Sequence, residues 1–181
     1  MGMWSIRIAK PNDATRLAAL AEKTFRDTFG ADNTSADMDQ HVLETYSAQI
    51  QTREILDPNM VTFVCELENE LIAYAQLNWL PAPIDVRALK PVEIRRFYLD
   101  SPWHGQGIAG ALMNQVLEHV TAKNADQIWL GVWEHNPKAR RFYQKMGFLE
   151  VGEHVFQLGS DPQRDLILSR KVQIRDQSTT K

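Results

Sequence analysis

The tract His104-Gly105-Gln106-Gly107-Ile108-Ala109-Gly110-Ala111-Leu112 sets three glycines directly ahead of an apolar run. Glycine lets the backbone approach a ligand closely. The first N–H groups of a helix have no partner within it, and its N-terminus favours negative charge. A glycine loop that opens into a helix is therefore a cradle for phosphate. Gly105 to Gly110 spells G-x-G-x-x-G, the fingerprint of a dinucleotide site, and Glu134 ends the next strand where a ribose-binding acid would sit. Against that reading, Asp100-Ser101-Pro102-Trp103-His104 separates the preceding strand from the first glycine, where the dinucleotide turn is immediate. The motif also comes late, and a hairpin rather than β-α-β units precedes it.

The elements around the loop follow from periodicity. Trp4 to Ile8 reads as a strand, and Pro11-Asn12-Asp13 caps a helix with Leu17, Leu20, Ala21, Thr24 and Phe25 on one face. The polar stretch 27–52 holds a second helix around Met38–Tyr46. Val61–Glu66 and Leu71–Asn78 form a hairpin about Asn69-Glu70, and Val92–Asp100 is a further strand. A helix from Gly107 to about Lys123 follows, then a strand from Gln127 to Trp133. Asn136 caps a short helix with Pro137 at its first position, and Gly147 ends it. Phe148–Leu168 holds two more strands. Residues 1–174 read as a single domain and 175–181 as a flexible tail.

Composition narrows the classes. The chain has 181 residues, a formal charge of −3 and a 44% hydrophobic share, so there is no basic field for nucleic acid. No apolar run is long enough to span a bilayer. Arg7, Lys10 and Asp13 interrupt any signal-peptide core, and Ile6 stands where myristoylation after Gly2 wants Ser or Thr. Cys65 is the only cysteine and reads as a buried thiol, and His41, His119, His135 and His154 lack metal-ligand spacing. The expectation is a cytoplasmic protein with no metal, no membrane partner and no nucleic-acid partner.

His104-Gly105-Gln106-Gly107-Ile108-Ala109 resembles the Gln/Arg-x-x-Gly-x-Gly/Ala signature of the GNAT N-acetyltransferase superfamily, with His104 in place of Gln or Arg. Asn136 to Phe148 is similar to that family's N-x-x-A-x-x-F-Y-x-K-x-G-F segment, and Glu93 to Leu99 lies where its bulged fourth strand lies. Thr24 to Phe29, Trp129 to Glu134 and Gly152 to Asp165 resemble the PaiA-type spermidine/spermine N-acetyltransferase branch. The resemblance implies an α/β fold, layered as α+β: a mixed central sheet of about six to seven strands flanked by about four helices. It implies acetyl-CoA as cosubstrate, a small cationic amine such as a polyamine as acceptor, and a homodimer. The alternatives are a protein, peptide or aminoglycoside-like amine, or a non-catalytic acyl-CoA-binding module.

Roles follow from the same resemblance. Tyr143 would be the acid beside the CoA sulfur; the plainer reading is a core aromatic. Glu93 would be the base, or else a strand-end carboxylate paired with Arg95. Strict alternation would put Glu93, Arg95 and Phe97 on one face and Ile94, Arg96 and Tyr98 on the other. Backbone groups of Phe97, Tyr98 and Leu99 would pair with the pantetheine arm. His104, Gly105, Gln106, Gly107, Ile108, Ala109 and Gly110 would cradle the pyrophosphate. Asn136 would touch pantetheine or only cap its helix, and Lys145 would meet a phosphate or only end one. Trp129, Gly131 and Trp133 read as one face of a core strand, with Gly131 leaving room for the cofactor arm. Asp27, Asp32, Asp37, Asp39 and Glu44, with no Lys or Arg between residues 27 and 52, would form an uncompensated acidic lip for the amine.

Overall fold

The computed structural model describes residues 3–83, 85–158 and 161–172. The expected tail at 175–181 lies outside them. The strands are β1 (Ser5–Ile8), β2 (Met60–Leu67), β3 (Glu70–Asn78), β4 (Pro91–Leu99), β5 (Gln127–Trp133), β6 (Leu149–Leu158) and β7 (Asp161–Lys171). They form one sheet in the order β1-β2-β3-β4-β5-β7-β6. Every neighbouring pair is antiparallel except β4 and β5. The helices are α1 (Ala14–Phe29), α2 (Ser35–Thr45), α3 (Ala48–Leu56), α4 (Ile108–Ala122) and α5 (Pro137–Lys145).

The stretch 27–52 begins two helices where one was expected. Thr34 and Ser47 each accept a backbone N–H, from Asp37 and Ile50, so each starts its own helix. The hairpin turn is Glu68-Asn69, one residue earlier than expected, with φ of 49° and 68°. Left-handed backbone at both positions matches the twist of tightly paired strands.

The sheet separates two cores. Ile108, Leu112, Met113, Val116 and Val120 of α4 pack on one face against Val92, Ile94, Ile128 and Leu130. Leu17, Leu20, Ala21 and Phe25 of α1 pack on the other against Val64 and Tyr74. A bulge in β4 changes which residues face which core. Leu77 pairs with Ile94 and Gln76 with Arg96, so Arg95 is the extra residue. Ile94, Phe97 and Leu99 consequently face the α4 side. Glu93, bonded to Asn78, and Arg96, bonded to Glu54 of α3 and to Gln76, belong to the α1–α3 side together with Tyr98. The simple alternation that grouped Glu93 with Phe97 is corrected by that one inserted residue.

One ion cluster ties β1 to α1 and β2. Asp13, 1% exposed, accepts Arg7 at 2.7 Å and Arg16 at 2.6 Å, and Glu66 accepts the same two arginines. Chiefly through the Arg7 hydrogen bond, its carboxyl is held well below the usual range. Because folding lowers this pKa, the stabilisation is full above the unfolded value of about 3.9 and is lost as pH falls through the folded one. Asp13→Asn, which leaves two guanidinium groups short of a partner, is expected to cost about 3 kcal/mol. Urea unfolding of both proteins at pH 7 checks this; a loss under about 0.5 kcal/mol, the level of an ordinary surface substitution, would contradict it.

Candidate active site

β4 and β5 pair only over Pro91–Glu93 and Gln127–Trp129. Beyond that the two strands have no mutual partners, and between them opens a cleft of about 870 Å³. The rest of the β5-facing edge of β4 is therefore available to an extended ligand, which can add to it as a strand would. Phe97, Tyr98 and Leu99 all line this cleft.

The glycine loop sits at the end of β4. Gly105 and Gly107 have φ of 79° and 81°, and Gly107 is the N-cap of α4. No other atom comes within 4 Å of where a Cβ would stand at Gly105, Gly107 or Gly110. The first two glycines serve backbone conformation. Gly110 meets no close neighbour, unlike the third glycine of a dinucleotide fold, which seats helix on strand. The largely antiparallel sheet excludes the doubly wound reading as well. Gly107→Val is expected to weaken CoA binding about tenfold or more, since a branched residue in left-handed backbone costs upward of 1 kcal/mol. Calorimetric titration with CoA checks it, and an unchanged Kd would remove the loop from the site.

His104 spends both ring nitrogens within the chain. Its Nε2 bonds the Leu99 carbonyl at 2.9 Å, and Nδ1 faces Lys138 Nζ. Lys138 has only donors, so Nδ1 accepts and Nε2 donates. The side chain pins the loop to the end of β4, and Lys138 supplies the cation beside it. Gly105, Ala109 and Lys138 line the cleft; Gln106, Gly107, Ile108, Gly110 and Lys145 do not. Gln106 Nε2 donates to the Pro102 carbonyl, Ile108 is buried in the α4 core, and Lys145 stands in the last turn of α5.

α5 carries Asn136 and Tyr143. Asn136 Oδ1 accepts the Ala139 amide at 3.0 Å, the expected cap, and the residue also lines the cleft. At the other end Gly147, φ 83°, donates to the Gln144 carbonyl and Phe148 to that of Tyr143, which closes the helix in left-handed backbone. Tyr143 is 7% exposed, ringed by Phe97, Phe142 and Phe148, and lines the cleft. Burial pushes its phenol well above 10, so the group is a neutral donor at physiological pH.

Glu93 lines the cleft from the other core's side. It accepts Asn78 Nδ2 at 3.4 Å, while Arg95 reaches Glu54 at 3.7 Å instead. Burial raises the Glu93 carboxyl, and the Asn78 bond with Arg95, His154 and Arg96 pulls it part of the way back. A raised carboxylate in a cleft is suited to accept a proton.

The acidic lip is smaller than the sequence implied. Of its five acids only Asp27 and Asp32 line the cleft. Lys23 pairs Asp27 at 3.0 Å, and Arg26 pairs Asp39 at 2.8 Å. Both cations come from α1, Lys23 one turn before the stretch that lacks them and Arg26 directly ahead of it. Trp129 packs with Val86 and Ile167 in a separate small core, whereas Trp133 lines the cleft against Phe29. His154 and Asp165 also line the cleft, and the His154 ring occupies the space over Gly131. The resemblance over Gly152 to Asp165 gives neither residue a role; β6–β7 register and a missing side chain on β5 bring them together. Among the described residues no group of His, Cys, Asp and Glu could hold a metal ion.

Residues 14–148 match the acetyltransferase (GNAT) family. An uncharacterized N-acetyltransferase of Lactobacillus delbrueckii subsp. lactis is 32% identical over 160 residues, 88% of this chain and 92% of the relative. The spermine/spermidine N(1)-acetyltransferase of Bacillus subtilis is 24% identical over 129 residues, 67% of this chain and 85% of that one. Among solved structures, the PaiA N-acetyltransferase of Thermoplasma acidophilum in complex with coenzyme A superposes with a TM-score of 0.74 at 20% identity, over 93% of this chain and 99% of the other.

Proposed function

The chain belongs to the GNAT acetyltransferase family and takes its acetyl group from acetyl-CoA; on that premise we propose that the acceptor is a primary amine of a small polycation, a polyamine, and that transfer is direct. The observation that carries the acceptor class is the charge of the cleft wall. Asp32, Glu93 and Asp165 line the cleft; of its cations, Arg96 and Arg95 turn to Glu54, at 2.6 and 3.7 Å, and Lys138 stands beside His104 at the glycine loop. The polyamine acetyltransferase of Bacillus subtilis supports the same class.

In this reading Glu93 takes a proton from the acceptor ammonium, and the freed nitrogen attacks the acetyl carbonyl carbon. The C–S bond breaks, and Tyr143 protonates the departing sulfur. The open edge of β4 at Phe97, Tyr98 and Leu99 aligns the pantetheine, and the loop from His104 to Gly110 holds the pyrophosphate on the α4 N-terminus. Asn136 steadies the arm from the α5 side, with Lys138 or Lys145 as the phosphate cation. Residues 1–174 form one catalytic domain. No helix among the described residues is long and apolar enough to cross a membrane, and a cytoplasmic homodimer fits this reading.

Comparing kcat/KM for spermidine, spermine, an aminoglycoside and a peptide with a free N-terminus tests the acceptor class. The polyamines are expected to lead by about tenfold, the discrimination of one ion pair or hydrogen bond to charge. A peptide or aminoglycoside that equals them would overturn the polyamine assignment.

A further inference from the structure

Gly131 on β5 lacks a side chain, and the space is filled. A Cβ there would stand 2.9 Å from His154 Nε2 and 3.3 Å from Asp165 Oδ2. His154 on β6 is the cross-strand partner of Asp165 on β7, and β7 lies between β6 and β5. The imidazole therefore reaches over one strand onto the bare backbone of the next. Its Nε2 stands 3.8 Å from Asp165 Oδ2, and its side chain is 38% exposed. Across β5 stands Glu93, whose register partner is Trp129. Glu93, Gly131, His154 and Asp165 all line one cleft. Four strands thus present a row that runs from a half-buried carboxylate, past a gap, to an imidazole backed by a second carboxylate and open to water.

We propose that His154, positioned by Asp165 and admitted by Gly131, is the proton-exit residue: it receives the proton that Glu93 removes from the acceptor and delivers it to solvent. This rests on the acetyl-transfer reading above, with Glu93 as base. The proton count requires such an exit. An ammonium and a thioester become an amide, a thiol and one free proton. Glu93 removes the first N–H proton, and the nitrogen lone pair forms the C–N bond. As the C–S bond breaks, Tyr143 gives its proton to sulfur, and the second N–H proton restores the phenol. One proton per turnover stays on Glu93, in a buried setting that favours its retention. Neutral His154 takes that proton, directly or through one water, and Asp165 holds the imidazolium until the exposed ring loses it.

The groups that face this ring set its pH response. Asp165 on β7 is the main one, with Glu93 on β4; β5 contributes no titratable group at Gly131. Arg95 of β4, Asp27 of α1, Asp32 in the turn after α1 and His41 of α2 line the same cleft. Asp85 packs against Gly152, two residues away. Asp165 and Glu93 together raise the imidazole above its ordinary 6.5. An exit residue must be neutral to accept, so turnover falls as pH drops through that raised value.

The test is kcat and kcat/KM against pH for the full chain with acetyl-CoA and its best amine acceptor, alongside His154→Gln and Asp165→Asn. The unmodified protein is expected to show an acid limb above pH 6.5. Asp165→Asn should move that limb to lower pH. His154→Gln should abolish it and lower kcat about tenfold, with free imidazole in the buffer restoring part of the rate. The Kd for CoA should stay within about twofold in both variants, because the cofactor is assigned to the open β4 edge and the glycine loop, whereas the ring stands over Gly131 of β5. A limb that stays in place in both variants, or a His154→Gln kcat within about twofold of the original, overturns the assignment. An unmodified protein that acetylates no amine overturns the reading beneath it, a distinct result that takes this proposal with it.

Discussion

Tyr143→Phe is expected to lower kcat by about 100-fold while the Kd for CoA changes less than about twofold. The substitution removes one oxygen and keeps the ring. That ring is held by Phe97, Phe142 and Phe148 at centroid distances of 6.2, 5.4 and 5.7 Å, so its packing survives. Burial keeps the phenol protonated well past neutrality, so the group acts as a donor and not as a base. A thiolate that leaves unprotonated into an apolar corner is the poorer leaving group, and the penalty falls on the chemical step alone. Rapid-quench single turnovers separate that step from product release. If the single-turnover rate were unchanged, Tyr143 would be only a core aromatic.

Glu93→Gln is expected to lower kcat/KM by about 100-fold at neutral pH and to remove the acid limb that this carboxyl sets. The sign follows from the environment. Burial lifts this carboxyl above its ordinary 4.5, so the ionised, proton-accepting form is lost as pH falls through the raised value. Glutamine keeps the Asn78 contact and has no limb to lose. The same shift predicts the effect on stability. A carboxyl raised by folding costs stability at pH values above its unfolded pKa, so the variant should match or slightly exceed the original in thermal unfolding at pH 7. An active-site loss together with a lowered Tm would point to damage and not to a missing base.

The parts of this site that were legible in the sequence are those set by local geometry. The loop glycines, the α4 stripe from Ile108 to Val120, the Asn136 cap and the Gly147 terminus each follow from a few adjacent residues. What escaped depends on distant partners. The inserted Arg95 has no marker of its own, yet it decides which core Glu93 and Phe97 face. α3 was absorbed into a polar stretch because Ser47 reads equally well as loop. The His104–Lys138 contact joins residues 34 apart, and His154 reaches Gly131 only through β6–β7 register. The acidic lip shrank because its cations lie just outside the polar stretch: Lys23, one turn earlier in α1, pairs Asp27, and Arg26 reaches across to Asp39 of α2.

The central claim is that the cleft between β4 and β5 carries an acetyl group directly from acetyl-CoA to an amine. One single-turnover experiment addresses it, with isotopically labelled acetyl-CoA, spermidine and the 181-residue chain, quenched over time and read by mass spectrometry. The account predicts that N-acetylspermidine and free CoA appear together, one for one, with no acetylated protein at any time. CoA bound tightly with no acetylated amine, or label that passes first through a side chain of the protein, would contradict it.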